Sequence, residues 1–314
     1  MFTSRKHKHK RSTWSWKGPY QSKILGEYVD FLRNHRGLTE NTIRFRRNDV
    51  ISFLQPLRIQ SNDDIGKISA KQIYDYIIKT AKTMPLPSRR HIVASIRSFL
   101  KFVHLKGYIQ RDLTEAVPVI GTPKLGRVPR GIPWEAVEKL LAIPDRGTHE
   151  GRRSYAVLQL LATYGVRIGQ IIKLRLQGIN WREGSIHFQP TKWGNPLCFP
   201  LYPKVADALL AYIRETRGKI PHPEVFLTIN KHMPLGIGAA LYCSIKKCFR
   251  QAGIAASAHA IRHAFATRLM EHDTPIKTIA DLLGHKSIST TFIYTKVDLK
   301  HLRLVAHEWP EVES

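Results

Sequence analysis

Between Thr114 and Pro133 the chain meets Pro118, Gly121, Pro123, Gly126, Pro129, Gly131 and Pro133, a density of breakers that leaves no room for a helix or long strand. Whatever this chain becomes, it is interrupted there. The division predicts a helical domain over residues 21–113, a linker over 114–131 and a larger domain over 132–297. Short tails flank them at 1–20 and 298–314. The linker also carries Lys124, Arg127 and Arg130, which suits a segment lying along a polyanion.

The first domain reads as four or five helices. Ile24, Leu25, Tyr28, Val29 and Leu32 mark one, and Ile43, Val50, Phe53, Leu54 and Leu57 a second. Ser69 with Gln72 forms a capping box ahead of Ile73, Tyr76 and Ile77. From about Ser88 to Gly107, Ile92, Val93, Ile96, Phe99, Leu100 and Val103 line one face of a fourth. Arg90, Arg97 and Lys101 line another face of it, and Arg44 with Arg47 do the same on the second helix. Such a stripe can be only a solvated face. In this chain 50 Lys and Arg stand against 24 Asp and Glu, a net +26, so contact with DNA phosphates is the reading favoured here. Arg5, Lys6, Lys8, Lys10, Arg11 and Lys17 extend the same argument to the N-terminal tail, which otherwise is a solvated extension.

Beyond the linker, helices are expected over Trp134–Ile143 and Arg152–Tyr164, with Gly165 as a break and Ile168, Ile171 and Ile172 starting another. Arg167 falls at that junction. An arginine there can simply face water, but one set between apolar helices calls for an anionic partner. Alternation at Ile186 and Phe188, then Leu197, Phe199 and Leu201, predicts a β-hairpin with Lys192 close to its Trp193-Gly194-Asn195 tip. Val225–Ile229 is expected to add a third strand. Helices near Lys204–Arg217 and Ile237–Ala252 complete a mainly α domain with a small antiparallel sheet.

The run from His259 to Tyr294 is the densest in polar groups that an ordered scaffold could aim. His259 and Arg262 share a helical face. Thr274 and Pro275 read as N-cap and first position of the next helix, Ile276, Ile279, Leu282 and Leu283 as its apolar side, and Gly284 as its stop. His285 then lies just outside a helix end, and Ser287 or Ser289 can cap the segment presenting Tyr294. His259 and His263 have a zinc-compatible i, i+4 spacing, yet Arg262 stands between them and no glutamate completes a metallohydrolase motif. Glu271, Asp273 and Asp281 are too scattered for a two-metal nuclease.

His259-x-x-Arg262-His263, Leu282-Leu283-Gly284-His285 and Tyr294, in that order and spacing, resemble the C-terminal signature of the tyrosine recombinases, the phage-integrase family. The run Thr163–Leu176 around Arg167 resembles that family's first arginine motif, and the run from Pro190 to Leu201 its hairpin-lysine motif. The resemblance spans about residues 22–300. It implies a two-domain clamp on DNA and a metal-free, cofactor-free strand transfer by six residues: Arg167, Lys192, His259, Arg262, His285 and Tyr294. Their chemistry fits phosphodiesters. Two guanidinium forks can hold non-bridging oxygens, with His285 adding a hydrogen bond. Tyr294 is the nucleophile, His259 its base and Lys192 the acid for the departing 5′ oxygen. Gln170 departs from the family, which usually has an acid there to support the site; His263 is the other expected support.

The family further implies a 3′-phosphotyrosyl link, a Holliday junction and a homotetramer on two specific core sites, with a partner recombinase or DNA-bending proteins as accessories. The C-terminal stretch, with Leu299, Leu302, Val305, Ala306 and Trp309 at near-helical spacing, is expected to form a helix that packs either on its own domain or, as the family implies, on a neighbour. A mobile-element recombinase is the favoured task. The alternatives are a replicon-dimer-resolving recombinase, a type IB topoisomerase-like enzyme and a catalytically inactive DNA-binding regulator. Cys198, Cys243 and Cys248 form no paired framework, no run reaches the roughly 18 apolar residues of a membrane span, and no secretory core opens the chain. A cytoplasmic protein is expected.

Overall fold

The computed structural model describes residues 19–59, 61–121, 131–190, 196–229, 239–285 and 291. The basic tail, Lys124, Arg127, Arg130, the hairpin tip with Lys192, the caps at Ser287 and Ser289, Tyr294 and the C-terminal stretch lie outside them. The chain divides into two compact units, Met1–Pro123 and Lys124–Ser314.

In the first unit the helices are α1 (Pro19–Asp30), α2 (Glu40–Leu54), α3 (Asn62–Gly66), α4 (Ala70–Thr83) and α5 (Leu86–Leu105). Helix α5 is the spine. Its Phe99 and Phe102 rings lie 5.3 and 5.4 Å from Tyr28 of α1, all three fully buried. Truncating Phe99 to alanine would cost about 3–5 kcal/mol by opening that cluster. The capping box at Ser69 and Gln72 forms as the sequence predicts. A second, at Ser61 and Asp64, starts the short α3 that the apolar periodicity did not reveal. Arg44, Arg47, Arg90 and Lys101 are exposed. Arg97 instead is half-buried and donates to the carbonyls of Val117 and Pro118 at 2.7 and 3.2 Å.

The second unit is built around α7 (His149–Tyr164), which follows α6 (Trp134–Ala142). Val157, Leu158, Leu160, Leu161 and Tyr164 of α7 are all buried, as expected of a helix apolar on several sides. It begins three residues earlier than the apolar pattern suggested, because Thr148 caps it by accepting the Gly151 N–H at 3.0 Å. Only glycine fits at that turn: a Cβ on residue 151 would lie 1.8 Å from the Asp145 carbonyl oxygen. Gly165 ends α7 at φ +59°, and α8 (Ile168–Ile172) follows at once.

The sheet is antiparallel in the order β1 (Ile179–Asn180), β2 (Ser185–Phe188), β3 (Leu197–Pro200), with Ile186 opposite Phe199 and Phe188 opposite Leu197. Its third strand is therefore β1 and not Val225–Ile229. The latter segment buries Val225, Phe226 and Leu227 in the core, while Glu224 makes an isolated bridge to Arg175. A continuous apolar run signals burial, and here the burial lies outside the three-stranded sheet. Helices α9 (Pro203–Tyr212), α10 (Ala239–Gln251), α11 (Ala258–Glu271) and α12 (Ile276–Leu282) complete the unit. The α12 N-cap is Pro275, not Thr274: Pro275 keeps an extended ψ of 138° and its carbonyl accepts the Ile279 N–H, so the helix begins one residue later than expected. The observed class is mainly α with a small antiparallel sheet.

Candidate active site

Arg262 is the centre of the site and one of the most buried side chains in the chain, at 1% exposure. Its position follows from local structure. Helix α11 packs on α7 and on α6, where the Arg268 guanidinium lies 4.1 Å over the Trp134 ring. That orientation drives Arg262 inward, between two helix ends. One guanidinium nitrogen donates to the Gly165 carbonyl at 2.9 Å, just past α7. The other donates to the Leu283 carbonyl at 2.7 Å, at the end of α12. Helix C-termini offer carbonyls without intrahelical partners and a partial negative charge, so a cation is favoured there.

Gly284 stops α12 at φ +59°. The N–H groups of Gly284 and His285 fold back onto the Asp281 and Ala280 carbonyls, each at 2.9 Å, a Schellman turn. This turn delivers His285 to Arg262. The second guanidinium nitrogen reaches His285 Nε2 at 2.9 Å, and His285 Nδ1 meets the Thr291 hydroxyl at 2.6 Å. On the preceding side, Arg167 caps α8, with its N–H donating to Gln170 Oε1 at 2.9 Å and its carbonyl accepting from Gln170 N–H at 2.7 Å. Gln170 is buried at 2% exposure. It therefore ties the backbone beside Arg167 by a neutral amide.

His259 and His263 stand one turn apart on α11 with ring centroids 4.5 Å apart. Burial first, then the positive charge of Arg262 and Arg167, holds His259 below the usual imidazole range. The same order of causes pushes His285 down to about 4. His263 is also lowered to about 4, by burial, His259 and Arg262. The three rings thus sense a net positive field. A phosphate-sized anion placed there would relieve it.

Of the six residues expected to act together, Arg167, His259, Arg262 and His285 are thus brought within each other's electrostatic reach. Lys192 and Tyr294 fall outside the described residues. Thr291 was not foreseen, since a threonine in a run of small polar residues has no pattern to mark it. Nor was Arg153, which is buried and holds the Leu227 carbonyl and the Ser244 hydroxyl at 3.0 and 2.8 Å. Arg153 lines a cavity of about 910 Å³ together with Glu150, Lys246, Lys247 and Arg250, and none of its described lining residues belongs to the Arg262 cluster.

The second unit is thus a helical body with a three-stranded antiparallel sheet and a buried arginine–histidine cluster between two helix ends. The family model described as phage integrase matches residues 132–301. An integrase/recombinase of Sinorhizobium fredii, y4rF, is 31% identical over 300 residues, covering 91% of this chain and 69% of its own. The tyrosine recombinase XerD of Staphylococcus saprophyticus is 30% identical over 294 residues, covering 91% of this chain and 98% of its own. The chain belongs to the phage integrase family, the tyrosine recombinases. Solved structures share the fold. A lambda integrase dimer bound to a COC′ core site has a TM-score of 0.67 at 16% identity, over 93% of this chain and 79% of that one. The XerH recombinase on a palindromic difH substrate has a TM-score of 0.67 at 15% identity, over 95% and 99%.

Proposed function

We propose that this chain is a site-specific DNA recombinase that cuts and rejoins strands through a 3′-phosphotyrosyl intermediate and a Holliday junction, without a metal ion. The observation that carries this reading is the convergence of Arg262, Arg167, His259 and His285 in a field that favours a bound phosphate. Arg262 and Arg167 grip non-bridging oxygens of the scissile phosphate. Preorganised donors of this kind are each worth about 3–4 kcal/mol in the transition state. Tyr294 attacks phosphorus through its phenolic oxygen, and the P–O bond to the 5′ oxygen breaks. A free tyrosine has a pKa of about 10, so its proton must be taken; His259, held neutral, is in the form to accept it. Lys192 protonates the departing 5′ oxygen. The reverse sequence, with a 5′ hydroxyl from a second duplex, reseals the strand.

Exposed Arg44, Arg47, Arg90 and Lys101, with the linker residues Lys124, Arg127 and Arg130, hold the duplex by its phosphates. A homotetramer on two core sites is the working assembly, its C-terminal helix docked on a neighbour; a lambda integrase tetramer on a Holliday junction shares this fold. The task assigned is integration, excision or transposition of a mobile element, in keeping with the extra basic tail, and partner recombinases or DNA-bending proteins act as accessories.

The test is to trap covalent protein–DNA complexes from cells, in EDTA, and sequence the attached DNA. Wild type should carry a 3′-linked strand at one recurrent site, and Tyr294→Phe none. Sites at element ends support the mobile-element task, and a single site per replicon supports dimer resolution. An adduct in Tyr294→Phe, or its disappearance with EDTA, would sink the mechanism.

A further inference from the structure

We propose that Thr291 is a positioning residue whose hydroxyl turns from acceptor to donor, letting the His285 ring change tautomer as a phosphate enters the site. The inference rests on the reading above that Arg262 and His285 meet a phosphodiester. It begins from two hydrogen bonds on one ring. A guanidinium can only donate, so at 2.9 Å from Arg262 the His285 Nε2 is an acceptor. The ring is neutral at ordinary pH, because burial and the two arginines hold it down to about 4. Its proton therefore sits on Nδ1 and is donated to Thr291 Oγ1 at 2.6 Å. In this state His285 has no proton to offer an oxyanion.

A phosphate oxygen also only accepts. When Arg262 turns a donor towards it, His285 Nε2 loses its partner and can bind the same phosphate only by carrying a proton. A second proton on the ring is opposed first by burial, which an arriving phosphate does not undo, and then by Arg262 and Arg167. The alternative is a tautomer exchange, in which Nδ1 gives its proton to water and Nε2 gains one. The ring's charge does not change. Nδ1 is then an acceptor and needs a donor. A backbone carbonyl or a carboxylate at that place would lock the proton on Nδ1. A hydroxyl serves both states, since it is donor and acceptor on one rotor. Thr291 is fully buried at 0% exposure, and among the described residues its hydroxyl is the group that meets Nδ1. Thr291 also stands three residues before Tyr294, so the exchange couples phosphate arrival to the segment that bears the nucleophile.

The experiment uses the full chain with ¹⁵N-labelled histidine and a duplex built from the sequence recovered in the trapped complex. Free Tyr294→Phe protein should show His285 protonated on Nδ1, and the same protein on its duplex should show Nε2–H. Cleavage of a nicked suicide substrate is then compared at saturating DNA. Thr291→Val should bind DNA as wild type does but cleave roughly tenfold or more slowly, the effect of losing about one buried hydrogen bond. Thr291→Ser should restore most of the rate. A His285 that keeps Nδ1–H on DNA overturns the proposal, as do equal losses in the Val and Ser variants, which mean that packing alone is at stake. If Thr291→Val does not fold, the Ser variant and the tautomer measurement still decide. Wild type without any adduct brings down the parent reading; an adduct formed at the wild-type rate by Thr291→Val brings down only this one.

Discussion

Gly165 joins the fold to the chemistry, and replacing it with alanine tests that connection. It lies at φ +59°, where an L side chain costs about 1–2 kcal/mol. A Cβ there would stand 2.3 Å from Phe265 Cδ1 and 2.9 Å from Phe265 Cγ. Phe265 must move, and overpacking of this kind costs a further 1–3 kcal/mol, roughly. The sum is about 2–5 kcal/mol. Gly184 is the matched control, with φ +62° and nothing within 4 Å of its Cβ position, so Gly184→Ala should lose only about 1–2 kcal/mol. Urea titration of both variants isolates the clash as their difference. The site should feel it too. Phe265 is three residues after Arg262 on α11, and the Gly165 carbonyl is one of the Arg262 tethers. Gly165→Ala should therefore slow suicide-substrate cleavage far more than Gly184→Ala. Equal stability losses would show that Phe265 yields freely and that α11 is not fixed at this contact.

Three further outcomes are expected. Gln170→Glu should keep cleavage within about tenfold, or roughly 1.4 kcal/mol, because a carboxylate can also accept the Arg167 N–H; complete loss would mean the neutral amide is required. Lys192→Ala should be slow on ordinary DNA and largely rescued when the departing 5′ oxygen is replaced by sulfur, which leaves without a proton; equal impairment on both substrates would make the lysine an anchor only. Stability in urea should fall with acid between about pH 6.5 and 4, because the unfolded chain takes up histidine protons that folded His263 and His285 resist until about 4. Above that window both states are neutral and this slope vanishes; a His285→Asn variant with an unchanged slope would refute the assignment.

Much of this was legible in the sequence because it depends on local rules. The Ser69 capping box, the Gly165 and Gly284 stops and the apolar faces of α1, α2 and α5 need only neighbours in the chain. What was missed is non-local or unpatterned. Strand β1 is two residues long, too short for alternation to register. Val225–Ile229 has strand-like composition, and only tertiary packing decides that it is buried outside the three-stranded sheet. Arg97 reads as one of a basic stripe, yet its partners Val117 and Pro118 lie twenty residues away. The site follows the same division. The residue types at Arg262 and His285 were readable; that Arg262 would be held by the carbonyls of two helix ends was not, because both partners are backbone and carry no residue code.

Those carbonyl tethers have a consequence for catalysis. A carboxylate beside Arg262 would fix it as firmly but cancel its charge, whereas carbonyls contribute only dipoles. The histidine rings register the result, since His259 and His285 are lowered by Arg262 and Arg167 as well as by burial. The helix that carries Arg262, α11, is fixed by its packing on α6 and α7. The positive field of Arg262 and Arg167 is thus present at the histidine rings before any ligand binds. A neutral residue can stand at Gln170. Its backbone bonds set the Arg167 turn, and a neutral amide can make those bonds as well as a carboxylate can.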